Sequence, residues 1–355
     1  MDIKLRYKKN QKAADKVAAF LTNASDKLLF HIPLYTLGQK MDIRLQEILN
    51  IFIQGVYDGV FIMEWIYHCP VCGSVAHETL SIHQAATENF CKACNKFFTN
   101  TLDDNIEVCF SIHPSLKVLD AAFKAQYLKE IEVNVNQGNY RTWIHPHVVR
   151  GIDIVQNNLY RDLMKSDTLI AGQSLQVMKT AVLFTDIKGS TQLYTDLGDA
   201  KAFSLVKDHF TILFDAIKKF DGVPVKTIGD AVIGVFADPK NAFDAALEAQ
   251  QRLIRQYHDK PDNEKIEIKI GMHTGPALVV TLNNRLDYFG STVNIASRIQ
   301  NTALPNEIVI SKELFKDRHI KKSILTVTDT VQKQNIKFKG VGRNYTVYHI
   351  RMRHK

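Results

Sequence analysis

Two aspartates stand where carboxylates can do chemistry. Asp186 closes an apolar run, in Leu183-Phe184-Thr185-Asp186-Ile187-Lys188-Gly189-Ser190-Thr191, and Asp230 follows a glycine in Lys226-Thr227-Ile228-Gly229-Asp230. A strand end and a hairpin tip can converge on hard cations such as Mg²⁺. Two such cations can clamp an in-line phosphoryl displacement. Gly189 and Ser190, ahead of a helix, let backbone N–H groups approach phosphates. Either aspartate taken alone is more often a cap or turn residue. A second set is Cys69-Pro70-Val71-Cys72 and Cys91-Lys92-Ala93-Cys94, a C-x₂-C…C-x₂-C pattern with 18 residues between the pairs. Four thiolates at knuckle spacing suit tetrahedral Zn²⁺ in a closed, structural site. Two redox-active pairs, or unligated thiols, are the competing readings. Cys109 lies in an apolar strand and reads as core. His68, His77 and His83 are close in sequence, but a four-cysteine site needs none of them.

The elements that must position these groups follow from periodicity. Residues 11–28 and Arg44 to Val56 carry apolar residues at three-to-four spacing and predict helices. Phe61 to His68 and Asn105 to His113 predict strands. Pro146 and the polar stretch Asn157 to Asp167 suggest a linker, partly helical. Lys179 to Asp186 then predicts a buried strand. Thr191 to Phe220 predicts one long amphipathic helix with Leu193, Phe203, Phe210, Leu213 and Ile217 on its apolar stripe. Val223 to Phe236, interrupted by Gly229-Asp230, predicts a hairpin. Asn241 to His258 predicts a second amphipathic helix. Ile266 to Met272 and Ala277 to Leu282 predict two strands, Ser291 to Gln300 a short helix and Glu307 to Ile310 a strand. The order β-α-β-β-α-β is that of a ferredoxin-like core. The expected class is therefore α+β, with an N-terminal domain over 1–150 carrying the ribbon at 69–94, a linker over 151–177 and a second domain over 178–355.

The chain has 355 residues, 45% hydrophobic and 23% charged, with a formal net charge of +8. That composition is ordinary for a soluble globular protein of two or three domains. The basic residues are dispersed, and no basic-aromatic stripe supports nucleic-acid binding. Leu45 to Phe61 is the most apolar stretch, and Gln46, Glu47, Asn50, Gln54 and Asp58 interrupt it. A membrane span is therefore not expected. The opening Met-Asp-Ile-Lys-Leu-Arg lacks the apolar centre of a signal peptide, so a cytoplasmic location is expected.

Four motifs occur in order: Phe-Thr-Asp-Ile-Lys-Gly-Ser-Thr, Lys-Thr-Ile-Gly-Asp-Ala, Gly-Met-His-Thr-Gly and Asp-Tyr-Phe-Gly-Ser-Thr-Val-Asn-Ile-Ala-Ser-Arg. Together, over roughly 178–350, they resemble the class III adenylate and guanylate cyclase catalytic domain. The resemblance implies two divalent ions, Mg²⁺ or Mn²⁺, held by Asp186, Asp230 and the backbone carbonyl of Ile187. It implies that Asn294 orients the ribose and that Arg298 neutralises charge on the α-phosphate; their i, i+4 spacing puts both on one helix face. It also implies that Thr191 contacts the triphosphate and that Lys339, in Lys337-Phe338-Lys339-Gly340, grips the terminal phosphates. Many members have Gly-Phe-Thr where this chain has Gly-Ser-Thr, a difference that concerns packing over the nucleotide.

Purine choice in the family falls on two side chains, here Lys226 and Asp287. Adenine presents an acceptor at N1 and a donor at N6, which a Lys ammonium and an Asp carboxylate match. Guanine presents the reverse. The resemblance therefore implies an adenylate cyclase, a phosphorus–oxygen lyase that makes cyclic AMP and pyrophosphate from ATP for signalling. Other readings are a cyclase for GTP or a pyrimidine nucleotide, and a non-catalytic nucleotide-binding signalling module. In the family the metal aspartates come from one subunit and the remaining groups from the other, which implies a homodimer with two shared sites. His273 reads as structural. The first half is similar to an uncharacterised ribbon-containing domain that precedes some bacterial cyclase domains, which implies a regulatory role through an unknown ligand or protein.

Overall fold

The computed structural model describes residues 3–134, 148–328, 330–340 and 342–352. Pro146, the proline expected to mark a linker, lies outside them. The chain divides into one compact unit of Met1–Met178 with Val279–Leu286 and another of Lys179–Leu278 with Asp287–Lys355.

The first unit begins with helices α1 (Gln11–Thr22), α2 (Asp26–Leu29), α3 (Leu34–Met41) and α4 (Leu45–Tyr57). The single helix expected over 11–28 is thus two, with Asn23 as the C-cap of the first. In α4 the buried Ile48, Leu49, Ile51, Phe52 and Ile53 follow helical spacing, each contributing roughly 1.5–3 kcal/mol by leaving water. Strands β1 (Phe61–His68), β2 (Val75–Thr79) and β5 (Ile106–Ile112) form a sheet of order β2-β1-β5, antiparallel throughout. Between β2 and β5, β3 (Glu88–Cys91) and β4 (Lys96–Thr99) make a separate two-stranded hairpin. Helix α5 (Ala121–Asn134) comes next, then α6 (Gly151–Val155) and α7 (Asn158–Leu163). Residues 151–177 are not a bare linker, because Ile152, Ile154, Val155 and Tyr160 are all buried. Asn157 caps α7 by accepting from the Tyr160 N–H at 3.0 Å, and its amide donates to Asn50 on α4 at 2.8 Å. Polar residues in this stretch thus serve as internal ties, which composition alone represents as linker.

In the second unit β6 (Leu175–Ile187), whose first residues belong to the first unit, leads to α8 (Ser190–Leu197) and α9 (Asp199–Lys219). Gly198, at φ 73°, breaks the expected single helix in two. Of the expected stripe, Leu193, Leu213 and Ile217 are buried and Phe210 packs against the core. Phe203 is 60% exposed, while Ala202, Val206, His209, Leu213, Ala216 and Ile217 face the core. Strands β7 (Val223–Ile228) and β8 (Ala231–Phe236) form the predicted hairpin. Helix α10 (Pro239–Tyr257) starts where Asp238 accepts from the Lys240 N–H at 2.8 Å and proline occupies the first helical position. The two strands expected over 266–282 are one, β9 (Ile268–Leu282), which turns back into β10 (Arg285–Phe289). Then follow α11 (Ser291–Gln300), β11 (Glu307–Ser311), α12 (Lys312–Phe315), α13 (Arg318–Val327), β12 (Val331–Lys337) and β13 (Asn344–Arg351). Among the described residues the sheet order is β12-β13-β11-β9-β6-β8-β7, with β10 paired to β9. Its β9-β6-β8-β7 part is the ferredoxin-like core, and α9 and α10 cover it with a continuous apolar cluster. The first unit's sheet is antiparallel and the second's includes a parallel β9–β11 pair beside antiparallel ones, with helices in both, so the class is α+β.

Candidate active site

The two aspartates are brought together by strand geometry. β6 is buried through Thr185, whose hydroxyl accepts from the Val232 N–H at 3.2 Å and pins β6 to β8. Asp186 is the next residue. Gly229, at φ 62°, makes the sharp turn between β7 and β8, and Asp230 comes out of it. The Asp230 carboxylate accepts from the Ile187 N–H at 3.0 Å, which fixes its aim beside Asp186. Partial burial, and then the Asp230 charge, raise the Asp186 carboxyl above its usual range; Lys269 and the Gln300 amide offset part of this. Two carboxylates that repel each other in a half-buried site fit hard divalent cations, which would neutralise both. Gly189, at φ 63°, precedes α8, and Ser190 and Thr191 line a shallow cleft with Tyr194, Thr195 and Asp199.

A second meeting lies at the other predicted pair. The Lys226 ammonium donates to the Asp287 carboxylate at 2.6 Å. Asp287 is nearly buried and also accepts from the Tyr288 N–H at 2.7 Å. The Lys226 nitrogen sits 4.9 Å over the Phe289 ring. Phe289 was not singled out in the sequence, although strand alternation puts it on the same face as Asp287. A charge pair against an aromatic face is an arrangement that can read the edge of a flat base while stacking on it.

Helix α11 presents the third group, and two glycines seat it. A Cβ on Gly271 would lie 2.1 Å from the Gln300 backbone nitrogen, and one on Gly275 would lie 2.7 Å from the Thr292 hydroxyl. The Thr292 hydroxyl donates to the Pro276 carbonyl at 2.6 Å. The Gly-Met-His-Thr-Gly motif is therefore a platform for the helix. On it Asn294 is exposed and Arg298 half-buried. Arg298 donates to the backbone carbonyl of Lys339, so the lysine loop meets this helix. Among the described residues no hydrogen bond joins Asn294 or Arg298 to Asp186 or Asp230. Gln300, beside Asp186, was also not foreseen; its position at the helix end carries no signal in one sequence. Burial holds the His273 imidazole down at about 4, and the nearest carboxylate, on Glu313, is 3.8 Å away.

The Cys69, Cys72, Cys91 and Cys94 sulfurs lie within 4.8 Å of one another in the first unit. Cys109 is buried in β5, apart from them.

Comparison with known proteins adds a family to this geometry. Residues 173–351 match the adenylate and guanylate cyclase catalytic domain family. The chain belongs to it. Residues 2–169 match DUF5939, a family of unknown function. The cyclase half is similar to the receptor-type guanylate cyclase gcy-28 of Caenorhabditis elegans, at 28% identity over 42% of this chain and 13% of that protein. It is also similar to an adenylate cyclase of Mycosarcoma maydis, at 29% identity over 44% of this chain and 7% of that protein. The chain thus corresponds to a small part of each. Among solved structures it resembles the adenylyl cyclase CyaB from P. aeruginosa, at 24% identity and a TM-score of 0.43, covering 52% of this chain and 98% of that one. No helix among the described residues is long and apolar enough to cross a membrane.

Proposed function

We propose that the chain is an adenylate cyclase that converts ATP to 3′,5′-cyclic AMP and pyrophosphate. Family membership supports the reaction class. The Lys226–Asp287 pair, at 2.6 Å with Asp287 nearly buried and Lys226 half-buried, is the observation that supports ATP. Adenine entering there would exchange one good contact for two, Lys226 donating to N1 and Asp287 accepting from N6. Guanine would leave buried donors and acceptors facing their like, and such mismatches discriminate strongly. Names of relatives point both ways, since guanylate cyclases and an adenylate cyclase are among them.

Asp186, Asp230 and the Ile187 carbonyl are the groups that would hold Mg²⁺ or Mn²⁺, which when bound supply charge neutralisation on the triphosphate and a more acidic 3′-hydroxyl. The 3′-oxygen attacks the α-phosphorus, the bond to the β-phosphate oxygen breaks, and pyrophosphate leaves. Arg298 would stabilise the charge gathering on the α-phosphate, Asn294 would orient the ribose, and Thr191 and Lys339 would hold the phosphates. With the metal aspartates supplied by one protomer and Asn294, Arg298 and the base pair by its partner, the working form is a homodimer with two sites. A cytoplasmic location fits, because ATP and reduced thiols are both available there.

The test is to incubate the purified chain with Mn²⁺ or Mg²⁺ and ATP, GTP, CTP or UTP in turn, and to identify products by mass spectrometry. Cyclic AMP alone is expected. Another cyclic nucleotide would keep the reaction and overturn the reading of the base.

A further inference from the structure

The ribbon hairpin has almost no apolar interior. The apolar cluster beside it holds Cys69, Cys91 and Phe98, with Cys72, Ala76 and Cys94 partly buried around them. Phe97, on the same hairpin, is 77% exposed. A two-stranded hairpin with such a core is marginal in water. Something must hold it, and the thiols are arranged to do so. Each C-x₂-C pair is followed by a left-handed residue, Gly73 at φ 78° and Asn95 at φ 56°, so the two turns are alike. Cys69 and Cys94 sulfurs are 3.6 Å apart, and those of Cys72 and Cys91 3.5 Å. A tetrahedral ion with bonds of about 2.3 Å to sulfur has edges of about 3.8 Å. Disulfide sulfurs would instead be about 2 Å apart. Four soft thiolates in a closed set select zinc.

The loop closed by these two turns does a second thing. Ser81 donates to the Asp167 carboxylate, and the His83 ring meets the Thr168 carbonyl at 2.9 Å. Thr87 donates to the Gln173 side chain through its N–H at 3.1 Å and its hydroxyl at 2.9 Å, and its hydroxyl accepts from the Ser174 N–H at 3.2 Å. Just past the second turn, Asn100 accepts from the Gln176 N–H at 3.3 Å, Leu102 donates to the Gln176 carbonyl at 2.8 Å, and Asp103 accepts from the Met178 N–H at 2.8 Å. Residues 81–103 thus grip 167–178, and that segment runs into β6, the strand that carries Asp186.

We propose that Cys69, Cys72, Cys91 and Cys94 bind one zinc ion, and that this ion holds the loop which grips the chain entering β6. The chain that enters β6 is then held by a metal-dependent clamp. The site stands whether or not the cyclase reading does.

The full chain, purified without added metal, is assayed for zinc by mass spectrometry and for thiols with a chromogenic disulfide. One zinc per chain is expected, with the four thiols unreactive until a mercurial displaces the ion. Absence of zinc, two disulfides, or iron in its place would overturn the site. Hydrogen exchange at the Ser174, Gln176 and Met178 amides is then followed before and after stripping by a chelator. Exchange at least roughly tenfold faster, reversed by returning zinc, is expected; unchanged exchange would overturn the clamp. Thr87→Val is expected to keep its zinc and still loosen Ser174. Should Cys72→Ser fail to fold, the chelation experiment on the unaltered chain decides both points.

Discussion

Asp230 and Lys226 stand on one hairpin four residues apart and carry different tasks. Asp230 is aimed by the Ile187 N–H and loads charge onto Asp186. Asp230→Ala is expected to lower turnover by roughly a thousandfold or more while the folded structure persists, since the proposed two-metal site would lose a shared ligand; turnover by mass spectrometry and the far-UV spectrum check this. Lys226 faces Asp287 instead. The double change Lys226→Glu with Asp287→Cys is expected to depress kcat/KM for ATP and to raise the GTP to ATP ratio, measured in competition. Two histidines give a separate prediction. Burial lowers His209 and His273 from 6.5 to about 4. An unfolded histidine binds its proton near 6.5, so acid favours the unfolded chain. Their stabilising contribution is complete above pH 6.5 and is lost as pH falls towards 4, on the order of 3 kcal/mol for each. Urea midpoints at pH 7.5 and pH 5 should show the decline, and His209→Gln should flatten it.

At the level of elements, α11 illustrates how backbone contact places a side chain. Gly271 touches the helix where Gln300 passes, and the built Cβ would meet backbone, not a movable side chain. Gly271→Ala is therefore expected to cost about 1–3 kcal/mol as overpacking. It is also expected to lower kcat more than it raises KM, because Arg298 shifts with its helix; thermal unfolding and steady-state kinetics separate the two effects. Gly198 is the counterpart on the other side of the sheet. It ends α8 and starts α9, in which Phe203 is exposed. Periodicity read across that glycine still puts Leu193, Phe210, Leu213 and Ile217 against the core and misplaces Phe203.

For the whole molecule, each chain carries both sets of proposed active-site groups. If the working sites are shared, a mixture of Asp230→Ala and Arg298→Ala chains should regain activity. Equal mixing makes half the dimers heterodimers, each with one intact site, so about a quarter of the unaltered activity is expected. Two inert variants that stay inert together, under conditions where they exchange subunits, would argue for sites complete within one chain. The proposed clamp on residues 167–178 belongs to this scale too, since it ties the cysteine loop to the strand that reaches Asp186.

The motifs alone carried the cyclase family, and they nominated the four cysteines and a residue for each proposed role, because chemistry needs fixed atom types at fixed local spacing. The ferredoxin-like order was legible for a similar reason: buried strands and amphipathic helices repeat with different periods. Tertiary structure decided what local spacing cannot hold. It joined Lys226 to Asp287 across 61 residues, seated α11 on two glycines, added Phe289 and Gln300 to the site, and packed 151–177 into the first unit. Each of these depends on distant strands arriving side by side, and the free energy that selects them comes from burial summed over the fold.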